Sequence, residues 1–165
     1  MKLENITCEG DLRNWLTDQI FECEGRLGLE WIEPAKFGST IGAPDCKIKF
    51  GISSIGLELK YLISTKKGIK WAIRPAQRRY HHMLAFHNGR SALLAFIAAK
   101  EELYLVRGDH IPLRDYASDP QSGCANRLVK MTHLDYFSVD RDRQAMFQLE
   151  QNLFGDLDFW EKKHG

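Results

Sequence analysis

Three residues in the middle of the chain have types and spacing that could carry out hydrolytic chemistry on a phosphate. Glu58 and Lys60 lie two positions apart in an otherwise apolar segment, so on a strand their side chains share one face. Burying a carboxylate and an ammonium there is costly unless something uses them. Asp45 begins the preceding strand-like segment, and a hairpin would bring its carboxylate beside that of Glu58.

Two carboxylates in a basic region repel each other unless a cation lies between them, and hard oxygen ligands favour Mg²⁺ or Mn²⁺. Such an ion could activate water and stabilise the charge that develops on a phosphate. Lys60 beside it could orient the water or offset charge on the phosphate. The alternative interpretation is a Pro-Asp turn followed by an exposed ion pair on an edge strand.

The order of these residues resembles a known motif. Pro44-Asp45, a spacer, and then Glu58-x-Lys60 resemble the PD-(D/E)XK nuclease superfamily. Gln77, in the next predicted helix, looks like a glutamine that several branches place facing the metal site. Within the superfamily the set is most similar to small Holliday-junction resolvases and the related VRR-NUC domains. The resemblance implies a restriction-endonuclease-like αβββαβ core, a Mg²⁺ or Mn²⁺ cofactor bound by Asp45 and Glu58, and catalytic roles for Asp45, Glu58, Lys60 and Gln77.

The same resemblance carries further expectations about ligands, substrate and assembly. Some members add a glutamate from the first helix as another metal ligand, and here Glu22 and Glu24 both match loosely, with Glu22 preferred. The implied activity is an endonuclease that hydrolyses phosphodiester bonds in DNA, selective for branched DNA, active as a homodimer in recombination or repair. Two alternatives stay open: a non-catalytic nucleic-acid-binding module on the same fold, and a site-specific restriction, homing or repair nuclease.

Charge is distributed unevenly along the 165 residues. The total of 23 basic and 22 acidic side chains, a net of +1, by itself argues against a nucleic-acid binder. Residues 1–45 carry 4 basic and 9 acidic side chains, residues 46–90 carry 10 and 1, and residues 91–165 carry 9 and 12. A central block this basic, with aromatic residues interleaved, indicates a surface for a polyanion. Its candidate DNA contacts are Lys47, Lys49, Arg74, Arg78, Arg79 and His82.

These residues need elements to position them, and the sequence predicts an α/β fold with a mixed sheet flanked by helices. Asp11 is predicted to cap a helix that runs to about Leu27 and stops at Gly28. Pro75 suits the first turn of another helix, in which Gln77 and His81 share one face. The other predictions are strands over 45–50, 55–63, 91–98 and 103–106, turns over 51–54 and 64–70, a loop-rich region over 110–134, and a last helix over 140–154.

Length and composition set the remaining expectations. One domain is expected, with a nuclease core over roughly 11–107 and a C-terminal extension over 108–165. The longest apolar run is far short of a membrane span and the N-terminus does not resemble a signal peptide, so a cytoplasmic protein is expected. His81 and His82 could serve as proton shuttles, but as helix residues near basic neighbours they are expected to contact phosphate or solvent. The four cysteines are interpreted as core or surface thiols rather than metal ligands or disulfides; they are Cys8, Cys23, Cys46 and Cys124.

Overall fold

The computed structural model contains both helices and strands and describes residues 1–33, 42–87, 89–112, 114–117, 125–130, 140–155 and 157–161. The helices are α1 (Glu9–Glu22), α2 (Pro75–Phe86), α3 (Arg141–Glu150) and α4 (Leu157–Glu161). The strands are β1 (Gly28–Trp31), β2 (Cys46–Phe50), β3 (Ser53–Thr65), β4 (Gly68–Lys70), β5 (Ser91–Ile97), β6 (Glu102–Arg107), β7 (Tyr116–Ala117) and β8 (Ala125–Lys130).

All of these strands belong to one mixed sheet. The main path is β1-β2-β3-β5-β6-β8, with β4 paired to the end of β3 and β7 paired to β4. Every pairing is antiparallel except β3 with β5, which run parallel because α2 lies between them in the chain. The order α1-β1-β2-β3-α2-β5, with β4 as a short addition after β3, confirms the predicted α/β fold with an αβββαβ core.

The two faces of the sheet bury different sets of side chains. Alternate residues of β3, β5 and β6, together with α1, α3 and β8, build the larger core, which includes Trp15, Leu57, Leu59 and Leu149. The opposite face buries a smaller set that includes Leu62, Trp71 and Leu93. Glu58 pairs with Leu93 and Lys60 with Ala95. Glu58 and Lys60 therefore share the face of the smaller core, the face on which α2 lies.

The first helix differs from its predicted bounds at both ends. Cys8 takes the N-cap position, and Asp11 lies three residues further on, where its carboxylate accepts hydrogen bonds from the Thr7 N–H and hydroxyl. The helix ends at Glu22 rather than Leu27. Glu24 and Gly25 have φ angles of 52° and 80°, so the chain turns into the left-handed region three residues before Gly28.

Several strands lie in segments that the sequence predicts to be loops or turns. Gly28 opens β1, and the predicted turn over 64–70 contains the hairpin to β4. The region over 110–134, predicted to be loop-rich, contains β7 and β8, of which β8 joins the main path of the sheet beside β6. By contrast, the predicted start of the last helix is confirmed, since Asp140 is the N-cap of α3 and its carboxylate accepts a hydrogen bond from the Arg143 N–H at 3.2 Å.

Three of the four cysteines lie within the described residues. Cys8, Cys23 and Cys46 are free thiols, and burial raises the pKa of Cys46 to about 12, which keeps its sulfur protonated. Cys124 lies outside the described residues. Within the described ranges, each helix is too short or too polar to cross a membrane.

Candidate functional site

The site forms where β2 stops pairing with β3. Their last pair is Cys46 with Leu57, so Asp45 stands one step beyond it, opposite Glu58. From Glu58 to Lys60, β5 is the one strand among the described residues that pairs with β3. The Asp45 carboxylate takes the place of the missing strand partner and accepts a hydrogen bond from the Leu59 N–H at 2.7 Å. The hairpin thus brings the two carboxylates together, as the spacing predicts.

Glu58 is the most deeply placed charged group of the site, with 0% of its surface exposed. Its Oε1 accepts a hydrogen bond from Gln77 Nε2 and lies 2.8 Å from Lys60 Nζ. Its Oε2 has no hydrogen-bond partner among the described residues, although it is buried. A buried carboxylate with one unpartnered oxygen is costly. Since Lys60 is only 7% exposed as well, the alternative of an exposed surface ion pair is wrong.

Gln77 is aimed at Glu58 by the first turn of α2. Pro75 occupies the start of the helix, and Gln77 Oε1 accepts a hydrogen bond from the Arg74 N–H at 3.0 Å. This bond satisfies the backbone N–H of Arg74 at the helix start and leaves the amide NH₂ of Gln77 facing the Glu58 carboxylate. A single side chain therefore ties the beginning of α2 to the buried part of β3.

Lys60 carries the positive charge of the site. Its Nζ lies 2.8 Å from Glu58 Oε1 and 3.6 Å from Glu9 Oε2. Burial disfavours the ammonium, but the charge of Glu58, its hydrogen bond and the charges of Glu9 and Asp45 outweigh that effect, so the pKa of Lys60 lies above its ordinary value. Lys60 is thus protonated at neutral pH. It can orient a water molecule or offset charge on a phosphate, but in this state it cannot accept a proton.

The surroundings of Asp45 disfavour its ionised form. Burial, and then the negative charge of Glu58, raise the pKa of Asp45 against the lowering effect of the Leu59 N–H. The two carboxylates, with the unpartnered Oε2, fit the oxygen ligands that a hard divalent cation prefers. No group of three or more His, Cys, Asp or Glu within the described residues forms a ready metal cage. A Mg²⁺ or Mn²⁺ ion held here would keep water molecules or phosphate oxygens as its other ligands.

The carboxylate of α1 that lies beside the site belongs to Glu9, which the sequence interpretation missed. Glu22, the preferred candidate, lies at the other end of α1, roughly 20 Å along the axis from Glu9 at 1.5 Å per residue. There it lines a cavity of about 400 Å³ together with Glu24 and Arg143. The structure therefore does not bring Glu22 or Glu24 to Asp45 and Glu58. A predicted helix start at Cys8 instead of Asp11 would have placed Glu9 in the first turn of α1 and marked it as a candidate.

The contact between His81 and Ser91 is the second feature that the sequence does not predict. His81 was expected to contact phosphate or solvent, but its side chain is fully buried, one helical turn after Gln77. Its Nδ1 lies 2.7 Å from Ser91 Oγ, and its Nε2 lies 3.9 Å from Glu58 Oε2. The spacing of Gln77 and His81 places both on one helix face, whereas Ser91 carries no local signal because β5 reaches it through the fold.

Three of the candidate DNA contacts already contact another described residue, and the other three are exposed. Lys49 pairs with Glu30, Arg78 pairs with Asp115 at 2.7 Å, and His82 Nε2 lies 3.3 Å from the Ile111 carbonyl. Lys47, Arg74 and Arg79 are exposed and have no ion pair among the described residues. Because Lys47 pairs with Gly56, it shares the sheet face of Glu58.

Among known proteins, solved structures match this chain in overall chain path. No protein-family model matches the sequence, and no curated protein matches it. Among solved structures, Hjc from Archaeoglobus fulgidus, a Holliday junction resolvase from an archaeal hyperthermophile, superposes with a TM-score of 0.44 and 10% sequence identity. The match covers 66% of this chain and 88% of the other. It assigns neither a family nor an activity to this chain.

Proposed function

We propose that this protein is a metal-dependent DNA endonuclease that hydrolyses phosphodiester bonds, with branched DNA as its substrate. One observation carries the proposal: Glu58 is wholly buried, holds Lys60 and Gln77 on one oxygen, and leaves the other oxygen unpartnered beside a second, electrostatically strained carboxylate. Such an arrangement costs stability, and a divalent cation would remove the repulsion that makes it costly.

Each side chain has a definite role in this proposal. Asp45 and Glu58 hold the ion, and Glu9 adds negative charge from α1. When bound, the ion supplies activation of water and stabilisation of the charge that develops on the phosphate. Lys60, as an ammonium, orients the attacking water or offsets charge on the scissile phosphate. Gln77 fixes the Glu58 carboxylate through its amide NH₂.

The substrate and assembly follow from the motif and from charge. The likeness of the Pro44-Asp45, Glu58-x-Lys60 and Gln77 set to small Holliday-junction resolvases supports branched DNA and a homodimer. Three exposed cations, Lys47 on β2, Arg74 at the start of α2 and Arg79 on α2, would contact backbone phosphates without reading the sequence of bases. Lys49, Arg78 and His82 would have to exchange their present partners for phosphate.

The test is a cleavage panel over four-way junction, flap, nicked and linear DNA with Mg²⁺. Cleavage should be lost in Asp45→Ala, Glu58→Ala and Lys60→Ala, and a junction should be cut faster than linear duplex. Glu9→Gln and Glu22→Gln form a matched pair at opposite ends of α1. We expect the first to lower the rate about tenfold or more, as loss of a supporting carboxylate does, and the second to leave it unchanged. Undiminished cleavage by Glu58→Ala would overturn the assignment.

A non-catalytic nucleic-acid-binding module is the second candidate, and one observation favours it: Lys60 already neutralises Glu58 at 2.8 Å. A Mn²⁺ titration separates the two candidates. Binding that disappears in Asp45→Asn supports the nuclease, whereas DNA binding that is indifferent to Mn²⁺ and to this substitution supports the module. Cleavage of linear duplex at one sequence would instead identify a site-specific restriction, homing or repair nuclease.

A further inference from the structure

Two buried polar atoms face each other at the back of the site, and neither has a hydrogen-bond partner among the described residues. They are Glu58 Oε2 and His81 Nε2, 3.9 Å apart, both on fully buried side chains. A hydrogen bond between a nitrogen and an oxygen requires about 3 Å, so a side-chain shift of about 1 Å would form one. A histidine buried only for packing would not be expected to leave a polar nitrogen aimed at a carboxylate.

The other ring nitrogen decides what Nε2 can do. Nδ1 of His81 lies 2.7 Å from Ser91 Oγ, and a neutral imidazole carries its proton on only one nitrogen. If the Ser91 hydroxyl donates to Nδ1, the proton must lie on Nε2, and an N–H then points at Glu58 Oε2. If Ser91 accepts instead, the lone pair of Nε2 faces the carboxylate and repels it. The first arrangement is electrostatically favoured.

The fold provides space for this pair and for no larger group. Gly108 lies against it, and a Cβ built at that position would fall 2.1 Å from Ser91 Oγ and 3.2 Å from His81 Nδ1. Three elements thus meet here: α2 supplies His81, β5 supplies Ser91, and the 3₁₀ turn Gly108–His110 supplies a residue without a side chain.

We propose that Ser91 and His81 are a positioning pair for Glu58: Ser91 selects the imidazole tautomer whose Nε2–H donates to Glu58 Oε2. This inference rests on the proposed nuclease function. A carboxylate has about four lone-pair positions. Gln77 and Lys60 occupy two on Oε1, His81 takes one on Oε2, and the fourth remains for a divalent ion. The pair thereby fixes the rotation of the carboxylate and directs one lone pair to the metal.

The first measurement reads the tautomer in metal-free protein, by ¹⁵N NMR of protein labelled at histidine. The His81 signals are assigned by their loss in His81→Gln. We expect the Nε2–H tautomer in the parent and a mixture of tautomers in Ser91→Ala, which removes only one oxygen. An Nδ1–H tautomer in the parent would overturn the inference, whatever the metal chemistry of the protein.

The second measurement is Mn²⁺ affinity by calorimetry, with two substitutions at one position. His81→Gln keeps an N–H near the place of Nε2, whereas His81→Leu keeps the volume and removes the donor. We expect His81→Leu to bind Mn²⁺ 10- to 100-fold more weakly, the usual effect of losing a partner of a metal ligand, and His81→Gln to stay close to the parent. Equal affinities in the two variants would reduce His81 to a packing residue. A parent that binds no Mn²⁺ would overturn the proposed function, while the tautomer would still decide the pair.

Discussion

At the scale of single residues, Asp45 and Asp11 are carboxylates with opposite electrostatic environments. Burial and the charge of Glu58 raise the pKa of Asp45 above the ordinary value of an aspartate. Hydrogen bonds from Thr7 lower the pKa of Asp11 below the same value. A group with a raised folded-state pKa binds its proton more tightly in the native state, so the free energy of unfolding falls as pH rises through that window. A group with a lowered pKa contributes the reverse.

We therefore predict opposite results for Asp45→Asn and Asp11→Asn in chelator-treated protein. At neutral pH Asp45→Asn should unfold at a higher temperature than the parent, because the strained charge is gone while the amide oxygen can still accept from Leu59. The difference should vanish below about pH 4, near the ordinary pKa of an aspartate. Asp11→Asn should unfold at a lower temperature at neutral pH and match the parent in acid. Thermal unfolding from pH 3 to pH 8 measures both.

The Asp45→Asn variant also tests whether a divalent ion stabilises the folded protein through Asp45. A ligand that binds only the folded state raises the unfolding temperature. Added Mn²⁺ should therefore stabilise the parent more than Asp45→Asn, and reverse their order at neutral pH if binding is tight. A parent that is more stable than Asp45→Asn without any metal would show that the Asp45 charge is compensated in the folded protein.

At the scale of elements, one close backbone approach sets the position of α2 relative to the hairpin. Gly42 has a φ of 90°, and a Cβ built there would fall 2.3 Å from the Ala76 carbonyl oxygen in the first turn of α2. Gly51, in the β2–β3 turn, also has a positive φ, of 58°, but a Cβ there would meet nothing within 4 Å. The two glycines thus share backbone conformation and differ in contact.

We predict that Gly51→Ala costs only its left-handed strain, about 1–2 kcal/mol of unfolding free energy. Gly42→Ala should cost more than about 3 kcal/mol, because it must also displace backbone of α2. That displacement moves Gln77 away from Glu58, so Gly42→Ala should lose cleavage that Gly51→Ala retains. Urea unfolding and the junction cleavage rate are the two measurements. Equal losses of stability would mean that α2 shifts without cost.

Contacts between residues that are close in the chain can be predicted from the sequence, whereas contacts that depend on tertiary packing cannot. The sequence predicts that Asp45, Glu58 and Lys60 lie together, because a tight hairpin and the two-residue period of a strand are local. The start of the last helix at Asp140 is a local signal as well. The contact of Glu9 with Lys60 and that of His81 with Ser91 depend on how α1 and β5 pack on β3, which no local spacing encodes. The strand β8 was missed for the same reason, since its pairing with β6 spans a loop-rich sequence.

At the scale of the whole molecule, a nearly neutral chain concentrates its basic residues in one central block. The basic block of residues 46–90 includes β2, β3 and α2, which surround Glu58. On the opposite face of the sheet α3 packs against the larger core through Ala145, Met146 and Leu149. Arg79 on α2 and Arg143 on α3 are both exposed arginines on helices, so they compare the two faces at equal charge.

We predict that Arg79→Gln weakens DNA binding and lowers its dependence on salt, whereas Arg143→Gln does neither. Each phosphate contact releases about one condensed counterion, so the slope of log affinity against log salt concentration should become shallower by about 0.9 in Arg79→Gln. Both slopes are measured by fluorescence anisotropy with one labelled junction. The salt concentration is varied from roughly 50 to 200 mM, the range over which phosphate contacts weaken steeply. Identical slopes for the parent and both variants would place the DNA away from α2, and a shallower slope in Arg143→Gln alone would place it on the opposite face.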